Sequence, residues 1–540
     1  MNYILFNGKV VTMNKDIPQV SAVGIKDNKI EAVGTDEAIL GMKNSETKLI
    51  DLKGKLVLPG FNDSHMHLLN FGYTLTKADL IEAKSIKNMI EIGKKYLDDK
   101  KISSGKWILG RGWNQDCFDD GQLPTRHDLD KISTEHPILF TRACGHIGVA
   151  NTRALMEADI YDHIPSIEGG KIDRDYCGKA SGILREKALE FISRKIPNPT
   201  LKEIKDMILK ASEYASSMGI TSVGTDDFSA LPQNDPELVI KAFTELNKEG
   251  NLNLRINEQC LIHDVNYLKE FIKKGYNTGW TNGHFKIGPL KLLTDGSLGA
   301  RTAFMKDEYV DCPGNFGIPY FAQEELDALI DTAHKNNMQI ATHCIGDGAL
   351  EMVFNSMEKA YKKWGIKNLR HGIVHCQIMD KHLLERFKKL NMGAYVQPIF
   401  IDYDHKIVEK RVGRSKTETS YNFKTLMDMG VHVSGGSDCP VEPCDVLPNI
   451  YCAVTRKGLD GLPENGFLPA QRVSVHEAVE MFTKEGSYIT FEEEIKGQIQ
   501  KGMVADMIIL DKDIFDIPLG EIKDVQVKMT IFDGEIVFSR

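Results

Sequence analysis

The 540-residue sequence has no stretch that approaches the ~18 apolar residues of a membrane span, which argues against an integral membrane protein. It also lacks the basic excess that a nucleic-acid-binding face requires. Lys and Arg number 67 against 76 Asp and Glu, a net charge of −9. The N-terminal residues Met1 to Gly8 have neither a basic n-region nor a long apolar h-region, so no secretory signal is expected. No C-x-x-C pair occurs among the ten cysteines. In a chain this long they do not suggest a disulfide framework, and thiols in a reducing, cytoplasmic setting fit better. Low-complexity tracts and long charge runs are missing too. The remaining composition, 42% hydrophobic and 26% charged, is enough to bury a large core. At ~100–200 residues per domain it allows about three domains, or one large barrel with additions.

Both ends of the chain read as β. Phe6-Asn7-Gly8-Lys9-Val10-Val11 and Phe532-Asp533-Gly534-Glu535-Ile536-Val537 share one pattern. Asn-Gly or Asp-Gly between β-branched runs predicts a type I′ hairpin, because both central positions need positive φ. Val20 to Lys26 followed by Asp27-Asn28 repeats strand and turn, and Asp506 to Leu510 reads as a further strand. These segments predict one small β-sandwich domain built from residues 1–58 and 496–540. Between them, short apolar runs alternate with helical stretches at 324–336, 348–362 and 380–390, the pattern of a parallel sheet with crossover helices. Ser64 to His67 and the runs at 219–223, 252–256, 290–293, 339–343, 372–375, 393–396 and 431–434 supply eight strands. The expected fold is therefore α/β, a (β/α)8 TIM barrel over residues 59–495. Residues 70–210 then fall between strands 1 and 2, far more than a ~2–6 residue βα loop. We expect an insertion there that covers the active site.

His65 and His67 stand two apart, and on a strand such residues point to the same side. Lys291, His343, His375 and Asp438 each lie in or at the end of a separate expected strand. Catalytic groups of barrels gather at the C-terminal strand ends, so residues distant in sequence can meet there. His and Asp are ordinary ligands of zinc and similar divalent ions, and such an ion lowers the pKa of bound water to about 7. Asp438 is placed to accept the nucleophile's proton and deliver it to the leaving group. Lys291 is the odd member. In Pro289-Leu290-Lys291-Leu292-Leu293 a buried, unpaired ammonium costs several kcal/mol. It either pairs with Asp295 or is carbamylated by CO₂, giving a carboxylate that bridges two metals. Cys344, Cys376 and Cys439 each follow a candidate ligand by one residue, so they should point outward as packing residues.

Pro59-Gly60-Phe61-Asn62-Asp63-Ser64-His65-Met66-His67 resembles the strand-1 metal motif of the amidohydrolase superfamily. The run Lys291-Leu292-Leu293-Thr294-Asp295-Gly296-Ser297-Leu298-Gly299-Ala300-Arg301-Thr302-Ala303 resembles the strand-4 motif of its third amidohydrolase family, the group of YtcJ-like proteins and N-substituted formamide deformylases. Thr342 to Asp347, Arg370 to Gln377 and Gly436 to Pro440 are similar to that family's strand-5, strand-6 and strand-8 motifs, and the likeness covers nearly the whole chain. The resemblance implies a barrel hydrolase in which a metal-activated water attacks an amide or related carbonyl. It implies one metal on His65 and His67 with Asp438, another on His343 and His375, and carbamylated Lys291 between them. Some members keep a single metal. Zinc is the expected ion, at one or two per chain.

The implied reaction is cleavage of an amide, N-formyl, N-acyl or cyclic amide C–N bond of a small molecule. One alternative is a mononuclear deaminase of a heterocycle. Lys291, and Asp347 four residues after His343, depart from purine-type deaminases, which lack such a lysine and carry a Glu near the strand-5 His. The other alternative, a catalytically silent metal-binding scaffold, is opposed by the filled ligand set. Trp113, His146, Arg301 and Gln397 are candidate substrate contacts: an aromatic wall, a donor to a carbonyl, a partner for an acidic group and a strand-7 pocket residue. Their structural readings are core packing for Trp113, an ordinary loop histidine for His146 and a salt bridge to Asp295 for Arg301. His371 shares strand parity with His375 and is expected one layer deeper, as a core or supporting histidine. Asp347 either orients His343 or caps the following helix. No nucleic-acid or membrane partner is expected, and the barrel with its β domain suggests a homodimer.

Overall fold

The computed structural model describes residues 1–119, 121–143, 145–167 and 170–540. They divide into two compact units, residues 1–68, 211–228 and 240–540 in the first and 69–210 with 229–239 in the second. In the first unit eight parallel strands follow one another in chain order. They are strand 1 (Phe61–Met66), strand 2 (Ile220–Thr225), strand 3 (Arg255–Leu261), strand 4 (Phe285–Leu293), strand 5 (Ile340–Cys344), strand 6 (Gly372–His375), strand 7 (Gly393–Val396) and strand 8 (Val433–Gly435). The seam between strands 8 and 1 closes through the residues beyond strand 8. The Asp438 N–H donates to the His65 carbonyl at 2.8 Å and the His67 N–H to the Cys439 carbonyl at 2.8 Å. Gly436 makes this approach possible, since a Cβ there would stand 2.7 Å from the His65 nitrogen. The fold is a (β/α)8 barrel.

Helices Gln323–Lys335, Asp347–Trp364 and Lys381–Lys389 make the crossovers after strands 4, 5 and 6. The first buries Leu326, Leu329, Ile330 and Ala333, the i, i+3, i+4, i+7 stripe of a helix laid on a sheet. The third starts at Asp380, whose carboxylate accepts from the Leu383 N–H as an N-cap. Strand 3 is the strand whose expected position is most displaced. It runs on through Asn257-Glu258-Gln259, a polar triplet that reads as a strand end yet is buried here.

The chain termini form two more sheets in the first unit. A four-stranded sheet orders Lys29–Gly34, Ala22–Lys26, Tyr3–Phe6 and Lys48–Asp51. A six-stranded sheet orders Glu535–Ser539, Val527–Phe532, Met507–Leu510, Leu56–Pro59, Lys9–Val11 and Gln19–Val20, so C-terminal strands pair directly with N-terminal ones. Leu5, Val23 and Ile25 of one sheet share a core with Val10, Val57, Met507 and Ile509 of the other. Asp533-Gly534 makes the expected hairpin, with φ of 51° and 82°. Asn7-Gly8 does not. Tyr3–Phe6 and Lys9–Val11 lie in different sheets, so the dipeptide is a corner that passes the chain between them. Leu52 packs into that corner, where a Cβ on Gly8 would fall 2.3 Å from its Cδ1.

The second unit is built on a sheet ordered Gly170–Arg174, Ala180–Glu186, Ile147–Ala150, Ile138–Arg142, Ile108–Trp113 and Ala78–Asp79. One apolar cluster centres on Trp113 and Phe140, another on Leu155 and Leu184. Among the described residues no helix is long and apolar enough to cross a membrane. Nine cysteines are free thiols, with Cys344, Cys376 and Cys439 buried, while Cys144 lies outside the described residues.

Candidate metal centre

Five strands deliver one cluster. His65 lies in strand 1 with His67 just past its end, Lys291 lies in strand 4, His343 in strand 5, His375 closes strand 6, and Asp438 follows strand 8. His65 Nε2 and His67 Nε2 each lie 3.2 Å from Asp438 Oδ1. One ligand atom from each of these residues falls within 4.8 Å of the others. Lys291 Nζ sits 3.1 Å from His65 Nε2. The His65 ring lies 5.6 Å from that of His375, which in turn lies 4.4 Å from that of His343. All six sequence-selected residues therefore meet. His65 and Lys291 are each 1% exposed, while His67 and His343 are half-buried and open one side of the cluster. His375 and Asp438 hold φ at 80° and 59°, left-handed values that cost about 1–3 kcal/mol each in side-chain-bearing residues and concentrate at functional sites.

Supporting hydrogen bonds fix which ring nitrogen faces inward. Gln259 Nε2 donates to the Ser64 carbonyl, which turns its Oε1 toward His65 Nδ1 at 2.8 Å. That Nδ1 must carry the proton, leaving the Nε2 lone pair for the cluster. His67 Nδ1 donates to the Asp226 carbonyl at 2.9 Å with the same result. His375 Nδ1 donates to Gln397 Oε1 at 2.8 Å. His343 is reversed: its Nε2 lies 3.1 Å from the Gly296 carbonyl and donates there, so Nδ1 is its inward atom.

The charges follow from this packing. Burial, helped by Lys291, pushes His65 down to about 3, and burial holds His375 well below its ordinary value. Both are neutral imidazoles, the form a metal ligand needs. Burial opposes protonation of His67, yet the Asp438 and Asp226 carboxylates raise it to about 9. Despite burial, His65 and His67 hold the Asp438 carboxyl well below the usual carboxylate range. Asp438 Oδ1 is buried, and the two imidazole Nε2 atoms are the groups that face it. With Nδ1 of both rings donating outward, the two Nε2 atoms and Asp438 Oδ1 face one point, and a divalent ion there would take the place of the proton that otherwise ties His67 to the carboxylate, so the donor set fits a divalent metal.

Other expected site residues land elsewhere. Trp113 is 1% exposed, donates from Nε1 to the Phe140 carbonyl at 3.0 Å and stacks on Phe118, so it is a core residue of the second unit rather than a pocket wall. His146 is exposed, with Nδ1 2.9 Å from Glu186 Oε2. Arg301 pairs with Asp311 through two 2.9 Å bonds, and not with Asp295. Asp295 instead accepts from the Phe304, Ile345 and Gly346 N–H groups and lies 3.3 Å from His343 Nε2, tying the loop after strand 4 to that after strand 5. Gln397 commits its oxygen to His375, which makes it a positioning residue instead of a substrate contact. The helix after strand 5 is capped by Gly346, and Asp347 pairs with Lys416 at 2.6 Å, so Asp347 neither caps nor orients His343. Gln259 and Asp226 went unrecognised in the sequence. Their signal is polarity inside barrel strand 3 and directly after strand 2, where apolar residues are the rule.

His371 belongs to the core and lies apart from the cluster. Its Nδ1 accepts from the Ile340 N–H at 3.0 Å, so Nε2–H points at His334 Nδ1 at 2.9 Å. His334 Nε2–H donates in turn to the Gly365 carbonyl at 2.9 Å, completing a relay of two neutral rings. Burial, helped by His334 and Lys367, holds His371 down to about 3 against an ordinary value of 6.5. A depressed folded pKa gives stability that is full above pH 6.5 and lost as pH falls toward 3. Below about pH 6, His371→Gln is expected to flatten the loss of unfolding free energy by about 1.4 kcal/mol per pH unit. Denaturant titrations at several pH values read this slope, and equal slopes in the two proteins would refute the neutral relay.

Comparison with known proteins agrees with this geometry. The amidohydrolase family model matches residues 48–538. The Bacillus subtilis amidohydrolase-family protein YtcJ is 30% identical over 100% of both chains. The N-substituted formamide deformylase of Arthrobacter pascens is 23% identical over 99% of this chain and 98% of its own. A crystal structure of an uncharacterized metal-dependent hydrolase from Pyrococcus horikoshii superposes with a TM-score of 0.80 at 29% identity, covering 96% of this chain and 99% of that one. With a family match across nine-tenths of its length and a relative 30% identical end to end, the chain belongs to the amidohydrolase family.

Proposed function

We propose that the protein hydrolyses a C–N bond of a small molecule, in an amide, N-formyl, N-acyl or cyclic amide. The observation that carries this reading is the convergence of His65 Nε2, His67 Nε2 and the buried Asp438 Oδ1 on one point. Residues His65, His67 and Asp438 would hold one divalent ion, zinc in this reading, and His343 Nδ1 with His375 Nε2 would hold a second. When bound, the metal supplies Lewis acidity, lowering the pKa of a water and polarising the scissile carbonyl. Asp438 takes the proton from the attacking water and hands it to the leaving nitrogen. Gln259, Gln397 and the Asp226 carbonyl keep the imidazoles in register during this exchange. Burial lowers the pKa of Lys291 against the pull of Asp226 and Asp438, favouring the neutral amine that carbamylation needs. Its amine adds to CO₂ and releases one proton, leaving a carbamate between the two ligand sets. The relationship to an N-substituted formamide deformylase supports the amide class of substrate.

Metal content per chain, measured on protein produced with zinc and bicarbonate, tests the reading. About two ions per chain, falling to about one or fewer in Lys291→Ala, are expected for a bridged pair. About one ion, unaffected by that substitution, would overturn the carbamate and favour a mononuclear deaminase.

A further inference from the structure

The second unit contains a cavity of about 350 Å³ whose lining residues all belong to that unit. Its floor is one face of the sheet. Leu109 stands in register with Leu139, and two residues on, Arg111 stands in register with Thr141. Alternation along a strand puts Leu109 and Arg111 on the same face, so the floor is apolar at one end and cationic at the other. Ile196 and Leu231 extend the apolar end. Lys77 lines the cavity as a second cation, with Nζ 4.2 Å from the Tyr73 ring centroid.

No carboxylate is among the lining residues. Asp79, the other in-register neighbour of Arg111, turns its carboxylate to the Ile81 N–H at 3.0 Å. Among the described residues neither Lys77 nor Arg111 forms an ion pair. Two like charges sharing a partly apolar cavity without a counter-charge are unfavourable until an anion arrives. We propose that this cavity binds a small organic carboxylate, its oxygens between Lys77 Nζ and the Arg111 guanidinium and its apolar body against Leu109, Leu139, Ile196 and Leu231. The site is separate in chemistry from the proposed hydrolytic centre and goes beyond that reading.

The cations also give the site a proton signature. Burial, with Arg111 nearby, pushes Lys77 down to about 8. Arg111 and Tyr73 are the ionisable groups facing it. Burial raises Tyr73, whose hydroxyl stays neutral near pH 8. A bound carboxylate restores the charged form of Lys77, so binding at pH 8 should take up a fraction of a proton, and binding at pH 6.5 less.

Benzoate titrated calorimetrically into the metal-loaded full-length protein, in buffers of different ionisation enthalpy, is the test. Saturable binding is expected, weakened at least tenfold in Lys77→Met and in Arg111→Gln, with proton uptake at pH 8 that disappears in Lys77→Met. Benzyl alcohol, the uncharged analogue, should not compete. Arg111 is exposed, so its variant remains informative if Lys77→Met fails to fold. The proposal falls if benzoate does not bind, if Arg111→Gln binds it equally well, or if binding vanishes on chelation of the metal while both variants retain it.

Discussion

Asp438→Asn is expected to lower kcat by about 10²–10⁴-fold while leaving most of the metal in place. The substitution keeps the side chain's size and one oxygen that can still face His65 and His67. It removes the negative charge and the capacity to take a proton. In the native centre the carboxyl lies well below the usual carboxylate range, so it is an empty proton acceptor at neutral pH. An amide in its place accepts a hydrogen bond but cannot carry a proton to a leaving nitrogen. Steady-state turnover on a panel of N-formyl and N-acyl amides, paired with elemental analysis of the same sample, reads both properties. Loss of turnover with metal retained is the expected pair. A kcat within a few-fold of the native value would end the assignment of Asp438 as proton shuttle.

The centre was legible in the sequence where chemistry and strand period coincide. An H-x-H pair can put both rings on one side of a strand, and a lysine inside an apolar run demands a reason. The barrel was legible because eight short apolar runs recur between amphipathic helices. The partners that orient the imidazoles were harder to see. Gln259 lies in Asn257-Glu258-Gln259, and a triplet of polar residues looks like the end of a strand unless its destination, the barrel interior, is already known. Asn7-Gly8 misled for a related reason. Local turn chemistry specifies a reversal, but which strands it joins is settled by pairings hundreds of residues away, such as Met507–Leu510 with Leu56–Pro59. Trp113 and Arg301 show the same limit for side chains. Residue type suggests a pocket, while the Phe140 carbonyl and Asp311 that occupy them come from tertiary placement.

Asp63 joins fold and site most directly, and Asp63→Ala is expected to cost about 3–5 kcal/mol of stability. The side chain is fully buried in strand 1, where burial raises its carboxyl to about 7 against its donors, and it accepts from the His65 N–H at 3.2 Å, the Ser437 N–H at 3.0 Å and the Ser437 hydroxyl at 2.5 Å. These bonds cross the seam where the last barrel segment meets the first. They also pin the residues beside two candidate ligands, since Ser437 precedes Asp438 and the His65 amide is itself a donor. Alanine would leave three buried donors without acceptors, and Gly436, hemmed in by the His65 backbone, leaves that segment little room to shift. Asp63→Asn keeps one acceptor oxygen but turns an amide N–H₂ toward other donors, so it should fall between the native protein and the alanine variant. Urea unfolding with metal in excess measures the stability, and metal affinity on the same variants measures the site. If the bonds act as argued, both fall together, in the order Asp63, Asn, Ala. Stability within about 0.5 kcal/mol of native in Asp63→Ala would show that the seam is held by its backbone bonds alone.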